Sequence, residues 1–339
     1  MNTVIGLISA NYDTPGLGEL SAERTVASMP FAGRYRLLDF PLSAMINAGI
    51  TTVGLITPYK YRSIIDHVGA GKEWSLDRKH SGLFVLPGSV YGISAPDSRL
   101  LIKDLRSNAI FFHRSPAPYV LVSSSNLVAN MDFREITETH RSEENDITLV
   151  FGREGFLECF MINRDLILKV LEWYKTVEYM DMLKVLEPNF AEMKVGRFEF
   201  TGYAHTIYSV QDYFNRSMDL LKSEVREQLF RSDRPIMTKI QDSAPSRYLS
   251  GSKVSNALIP AGCIIGGTVE NSVIFRGNRI EPGAVVKNSI VMQGCSVAEG
   301  AVLENVIVDK GNVIEPGVSL RGTSEHPFVV GKTKDEYAR

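Results

Sequence analysis

The chain has 339 residues, 44% of them hydrophobic, with 37 basic against 39 acidic side chains and a sequence pI near 6.3. That is enough apolar material for more than one core, so two domains are expected, and the near-zero net charge excludes a bulk positive field for nucleic acid or an anionic membrane. The three cysteines, Cys159, Cys263 and Cys295, are too far apart for a CxxC metal or redox pair and too few for a disulfide scaffold. The opening MNTVIGLISANYD carries no basic residue, and nowhere do about 18 apolar residues follow one another, so a cytoplasmic protein without a membrane span is expected.

From residue 1 to about 235 short apolar runs alternate with longer amphipathic ones, the signature of an α/β domain. Strands are predicted at Val4–Ser9, Thr52–Thr57, Tyr119–Ser123, Asp146–Phe151 and Glu158–Asn163, and helices at Arg36–Asn47, Phe133–Glu144, Arg164–Lys175 and Val210–Arg226. Residues 236–250, with proline, serine and charge mixed, read as a linker that is solvated or lies along the first domain.

From 251 to 339 the periodicity changes. Glycines at 277, 294 and 311, glycines at 283, 300 and 317, and Asn271, Asn288 and Asn305 all step by 17 residues, as do the apolar columns Ile280/Val297/Ile314, Val286/Leu303/Leu320 and Ile274/Val291/Val308. Such a repeat predicts a solenoid whose coils stack their apolar columns. A turn former about every six residues suits a three-sided, left-handed parallel β-helix of hexapeptide type, and Asn256–Val269 fits an earlier coil with a step about two residues shorter. Hexapeptide β-helices serve as acyltransferases, which need a base such as histidine on the coil, or as tails of sugar nucleotidyltransferases. None of the six histidines lies between Gly251 and Gly322, which counts against the former. A tail that only holds subunits together is equally compatible.

The segment RTVASMPFAGRYRLLDFPLSAMINAGI, Arg24 to Ile50, resembles the bacterial glucose-1-phosphate adenylyltransferase pattern RAKPAVxFGGxxRxIDFxLSNxxNSGI, and EWSLDR (73–78), NMDF (130–133) and YFNRSMDLL (213–221) follow in that family's order. The resemblance implies a Rossmann-like nucleotidyltransferase domain over 1–235 and a β-helix domain over 251–339. In that family ATP and glucose 1-phosphate give ADP-glucose for glycogen synthesis, with Mg²⁺ on two aspartates and with an arginine and lysines on the phosphates.

This chain departs from the pattern at each catalytic position. The phosphate loop GGxGTRL falls on NYDTPGL, with Asn11 and Tyr12 for its glycines and Gly16 for its arginine. Val26 stands for a phosphate lysine, Asn126 for the first metal aspartate and Thr206 for the second. An asparagine offers an amide oxygen but no charge to hold the ion. The excursion that carries the EKP lysine is missing between Phe151 and Glu158, either truly short or omitted from the sequence. The resemblance is therefore to the D-type, regulatory glycogen-biosynthesis subunit, with no catalytic residue, no metal of its own, a catalytic partner in a tetramer, and a sugar-phosphate or nucleotide effector. Arg24 and Arg36 fall on effector-contacting positions, although Arg36 could instead pair with Asp39, and Glu23 replaces an activator lysine. Tyr59 and Trp74 match the activator-sensitive segment, or simply pack. His205 reads as a surface imidazole or a base. The other functional readings are a weakly active nucleotidyltransferase using Asn126 or Asp132, and a self-assembling sugar-phosphate sensor.

Overall fold

A computed structural model describes residues 3–89 and 99–332, so the end of the expected β-helix domain, 333–339, lies outside the described residues. The first half is built on a seven-stranded sheet. Its strands in chain order are β1 (Val4–Ser9), β2 (Thr52–Thr57), β3 (Gly82–Pro87), β4 (Tyr119–Ser124), β5 (Ile147–Gly152), β6 (Gly155–Asn163) and β7 (Val195–Glu199). The spatial order is β7-β5-β6-β4-β1-β2-β3. β1 pairs in parallel with β2 and β4, while β6 runs antiparallel between β4 and β5. β1, VIGLIS, is buried along its whole length, as a central parallel strand covered on both faces must be. Two apolar layers cover the sheet, one including Leu42, Met45, Trp74 and Phe133, the other Phe112, Ile167, Val170 and Val185.

Several predicted boundaries move for local reasons. The helix expected from Arg36 starts at Asp39, because Tyr35–Arg36 pairs back on Pro30–Phe31 across a turn in which Ala32 and Gly33 have positive φ. The helix expected over Val210–Arg226 is two helices, Val210–Asp219 and Ser223–Leu229. Ser209 and Asp212 cap the first reciprocally, and it closes with tightened bonds from Leu221 N to Met218 O and Lys222 N to Asp219 O. β6 begins three residues earlier than expected, at Gly155, and meets Gly152 across Arg153 and Glu154. The excursion between Phe151 and Glu158 is thus replaced by a two-residue turn. Helices at Arg62–Val68, Ile102–Ser107 and Met182–Leu186 and the edge strands β3 and β7 had no counterpart in the periodicity.

The second half is a parallel β-helix. One ladder climbs through Arg247–Tyr248, Ile264–Ile265, Arg279–Ile280, Ser296–Val297 and Val313–Ile314. Its first rung therefore comes from inside the 236–250 segment. The step from Ile264 to Arg279 is the shortened one, and later rungs return to 17. Ile265, Ile280, Val286, Val291, Val297, Leu303 and Val308 fill the interior with Cys263 and Cys295. Asn256, Asn271, Asn288 and Asn305 occupy the left-handed region (φ 43–55°) at successive corners, a conformation asparagine tolerates better than other side chains.

The domains are joined by apolar contact. Val273, Ile290 and Ile307 face outward from the coil yet are fully buried, packed with Phe275 and Met292 against Phe31, Phe40, Val128, Tyr213 and Leu220. Residues 235–239 also lie on the first domain: Met237 N donates to Ser43 Oγ (2.8 Å) and Lys239 Nζ to Asp66 O (2.6 Å).

Candidate functional site

Ligands of open α/β sheets gather at the carboxyl ends of the strands. There, β4 runs into Ser125 and Asn126, both fully buried. The strand Ala204–Thr206 pairs antiparallel with Leu127–Ala129, and Ile207 N donates to Asn126 O (3.2 Å), so positions 126 and 206 are neighbours as two metal-ligand positions must be. Neither brings charge. Asn126 is also spent: its Oδ1 accepts from the Tyr12 hydroxyl (2.9 Å) and its Nδ2 donates to Ile207 O (2.8 Å). The Tyr12 phenol, 2.9 Å from Ser125 Oγ as well, is wedged where a bare backbone would otherwise leave room for phosphate. Its burial, with Glu158 nearby, pushes its pKa far above the ordinary value. These residues do not fit Mg²⁺, which is held by carboxylate oxygens, and no cluster of three or more His, Cys, Asp or Glu suited to a metal occurs among the described residues.

The other altered positions are equally built in. A Cβ on Gly16 would come within 2.5 Å of Tyr208 O, so no side chain, arginine included, fits there. Val26 is core. Asn11 Nδ2 donates to the buried Asp104 (2.6 Å). Asp132 caps the helix Phe133–Ser142 and pairs with Arg134 and Arg234, away from Asn126. His205 is held at both nitrogens, Nε2 facing Arg216 (3.1 Å) and Nδ1 facing Glu154 (2.8 Å). Since arginine only donates, Nε2 is the acceptor and Nδ1 carries the proton, which leaves no free base.

A second cleft lies between the domains. Arg276, Gln293 and Lys310 stand at one position in three successive coils, each just before a left-handed glycine (277, 294, 311), and face the Pro30–Arg36 hairpin. The cleft encloses about 240 Å³ and is lined by Arg34, Arg36, Arg276, Gln293 and Lys310. A small adjoining hollow adds Arg24, Glu23 and Lys332. Arg24 is buried and paired with Asp309 across the domain boundary. Arg36 does not pair its guanidinium with Asp39: its backbone N–H does so (2.9 Å), and its Nη1 donates to Ser63 O (2.7 Å). Asp39 instead holds His67 (2.5 Å), and Trp74 packs edge-on to His67 and donates to Ser43 Oγ. Tyr59 is largely exposed.

Among the described residues, Arg36, Arg276, Lys310 and Lys332 form no ion pair with a carboxylate. Burial holds the Lys310 ammonium below its ordinary pKa, and Arg24, Lys332 and Arg36 push the same way. Burial also lowers Arg36, with Arg24 and Arg276 adding to it and Asp39 opposing. The Gln293 amide oxygen is buried without a partner. Clustered cations that depress one another are an unfilled demand for an anion. The sequence reading contained Arg24 and Arg36; the solenoid's own contribution, Arg276, Gln293 and Lys310, was missed although the 17-residue step marks it.

The chain is 36% identical to the glycogen biosynthesis protein GlgD of Bacillus subtilis (strain 168) and 40% identical to that of Geobacillus stearothermophilus, over 98% of this chain and 96% of each relative. It belongs to the GlgD family. A nucleotidyl transferase family model matches residues 17–155, and a GlmU-like, C-terminal hexapeptide model matches 244–326, which places the β-helix in the left-handed hexapeptide class. Glucose-1-phosphate adenylyltransferase of Clostridium botulinum (strain Eklund 17B / Type B) is more distant, at 27% identity over 82% of this chain and 81% of that one. Within this GlgD family framework, no helix of the described residues is long and apolar enough to cross a membrane.

Proposed function

We propose that this GlgD family chain is a noncatalytic, regulatory subunit in glycogen biosynthesis. It assembles as a tetramer with a catalytic glucose-1-phosphate adenylyltransferase and tunes ADP-glucose synthesis through a phosphate-bearing effector, a sugar phosphate or nucleotide, at the domain junction. The observation that carries the reading is the state of the two former metal positions: Asn126 is tied up by the Tyr12 phenol, and Thr206, on the neighbouring strand, brings no charge. Removing one preorganised electrostatic group typically costs about 10²–10³ in rate, and here several are replaced together. The cationic cleft supports the regulatory half, because an inert subunit needs only different contacts in two states of an assembly to exert allostery.

The test is ADP-glucose formation by the purified chain alone, by a catalytic adenylyltransferase alone and by the mixture, each with and without sugar phosphates. The expected result is background synthesis by this chain and a changed maximal rate or effector response in the mixture. An unchanged partner overturns the regulatory reading. A second reading, a sensor without a catalytic partner, is favoured by the completeness of the cleft within one chain; phosphosugar binding by the lone protein with no effect on mixing selects it.

A further inference from the structure

Between the carboxyl ends of β1, β4 and β5, the amino-terminal half of β6 and the segment 182–192 lies a cavity of about 370 Å³, separate from the cationic cleft. That is within the usual size range of small-molecule sites. Its walls are chiefly apolar, including Val122, Leu149, Phe151, Phe156, Phe160 and Phe190. Three of the polar residues that border it each have a buried atom without a hydrogen-bond partner: Ser124 Oγ, Arg99 Nη1 and Glu158 Oε2. Ser124 is only 2% exposed. Unsatisfied buried polar groups are costly, and three around one hollow call for a common partner.

The backbone is bent to present one of them. The pairing of β5 with β6 slips between Leu149 and Phe151, and in the opposing bulge Glu158 takes a positive φ of 51°. Bulges of this kind re-aim a side chain, and a strained non-glycine residue persists where the surroundings hold it for a purpose.

At the cavity Arg99 and Lys184 face Glu158, Asp181 and Glu187, so no cation is in excess. Arg99 Nε donates to Glu158 Oε1 (2.6 Å), and the guanidinium lies over the Tyr12 and Tyr208 rings at 4.6 and 5.0 Å. Asp181 accepts from the backbone N–H groups of Arg99, Leu100 and Leu183. Lys184 at the rim has a partner of its own. A phosphate or carboxylate entering here would be desolvated without a counter-charge. What the cavity offers is one donor, one acceptor, one hydroxyl and phenyl walls.

We infer that this cavity binds a neutral, ring-bearing small molecule with an amide or lactam group, whose carbonyl accepts from Arg99 and whose N–H is taken by Glu158 or Ser124. The site lies beyond the proposed effector cleft and does not depend on it.

Binding of benzamide and 2-quinolinone to the full chain, followed by saturation-transfer NMR and calorimetry, tests this, with benzoate, benzylamine and glucose 1-phosphate as comparators. The amides are expected to saturate one site, with the charged compounds about tenfold weaker or more. Ser124→Val, which adds bulk at the hollow and removes the hydroxyl, is expected to weaken the amides about three- to tenfold, the value of one neutral hydrogen bond. Leu149→Phe fills the partly exposed side and reads the same effect should Ser124→Val fail to fold, as judged by circular dichroism. The proposal is overturned if neither amide binds, if binding survives filling, or if benzoate or glucose 1-phosphate binds more tightly than benzamide.

Discussion

The cleft at the ends of β1 and β4 and the cleft between the domains are built from opposite electrostatic choices. In the first, each position where polyphosphate chemistry needs a charge holds a neutral residue, and the neutral residues satisfy one another: Tyr12 with Asn126 and Ser125, Asn126 with Ile207. In the second, like charges are crowded together, so that Arg36 depresses Lys310 and is itself depressed by Arg24 and Arg276. The first arrangement gains stability from its internal hydrogen bonds. The second gives up stability that a bound anion would restore. On the proposed reading, the fold loses its chemistry and keeps a ligand response, because the two are held by different residues.

The largest effect expected from testing this contrast is at Asp309, the carboxylate that answers the buried Arg24. Asp309→Asn leaves Arg24 uncompensated beside Lys310, and breaking one side of a buried pair typically costs about 3–5 kcal/mol. Urea unfolding should show this loss, and added inorganic phosphate should restore part of it. A variant as stable as the parent would mean that the second cleft is not under electrostatic load.

Asn126→Asp probes the first cleft. The new oxygen would face Ile207 O, where Nδ2 now donates, so a loss of about 2–3 kcal/mol is expected. Because the Tyr12 wedge and the Gly16 contact remain, ADP-glucose synthesis should stay at background even in the double variant with Thr206→Asp. Magnesium-dependent turnover in that variant would show that missing charge, not occupied space, is what silences the cleft.

How much of this was legible in the sequence follows the range of the interactions. The solenoid was readable because its contacts recur at a fixed step, and β1, β2 and β4 because they are apolar runs bounded by turns. Short helices such as Arg62–Val68 were not, since their faces answer to neighbours distant in the chain. The neutral residues at 126 and 206 could be located by motif order, but the wedge could not, since Tyr12 and Asn126 meet across 114 positions. Val273, Ile290 and Ile307 look like more interior columns, and nothing local says that they face the other domain. Arg276, Gln293 and Lys310 were a missed opportunity, for they stand one residue ahead of the very glycines that gave the repeat away.

A smaller effect is expected from Arg36→Ala. Its guanidinium is half-buried and tied to Ser63 O, so stability should change little, while affinity for pyrophosphate or a sugar phosphate should fall about tenfold, as for one charge-assisted hydrogen bond. Calorimetry on Arg36→Ala and on Lys310→Gln would sharpen the assignment. Affinity unchanged from the parent in both variants would move the anion elsewhere.

The subtlest expectation concerns pH. In the folded chain Lys310 titrates below its ordinary value of 10.5, because of burial and then Arg24, Lys332 and Arg36. Just below pH 10.5 the unfolded chain therefore holds this proton more firmly than the folded one, so stability should rise with pH across that window. A bound anion favours the charged ammonium, so anion affinity should fall over the same window. Two slopes of opposite sign from one lysine are hard to obtain from a generic surface effect. Lys310→Arg, whose guanidinium keeps its proton throughout, should flatten both. If affinity in the parent instead stays flat across that window, the ammonium is not within the anion's reach, and the column of Arg276, Gln293 and Lys310 faces the hairpin for packing alone.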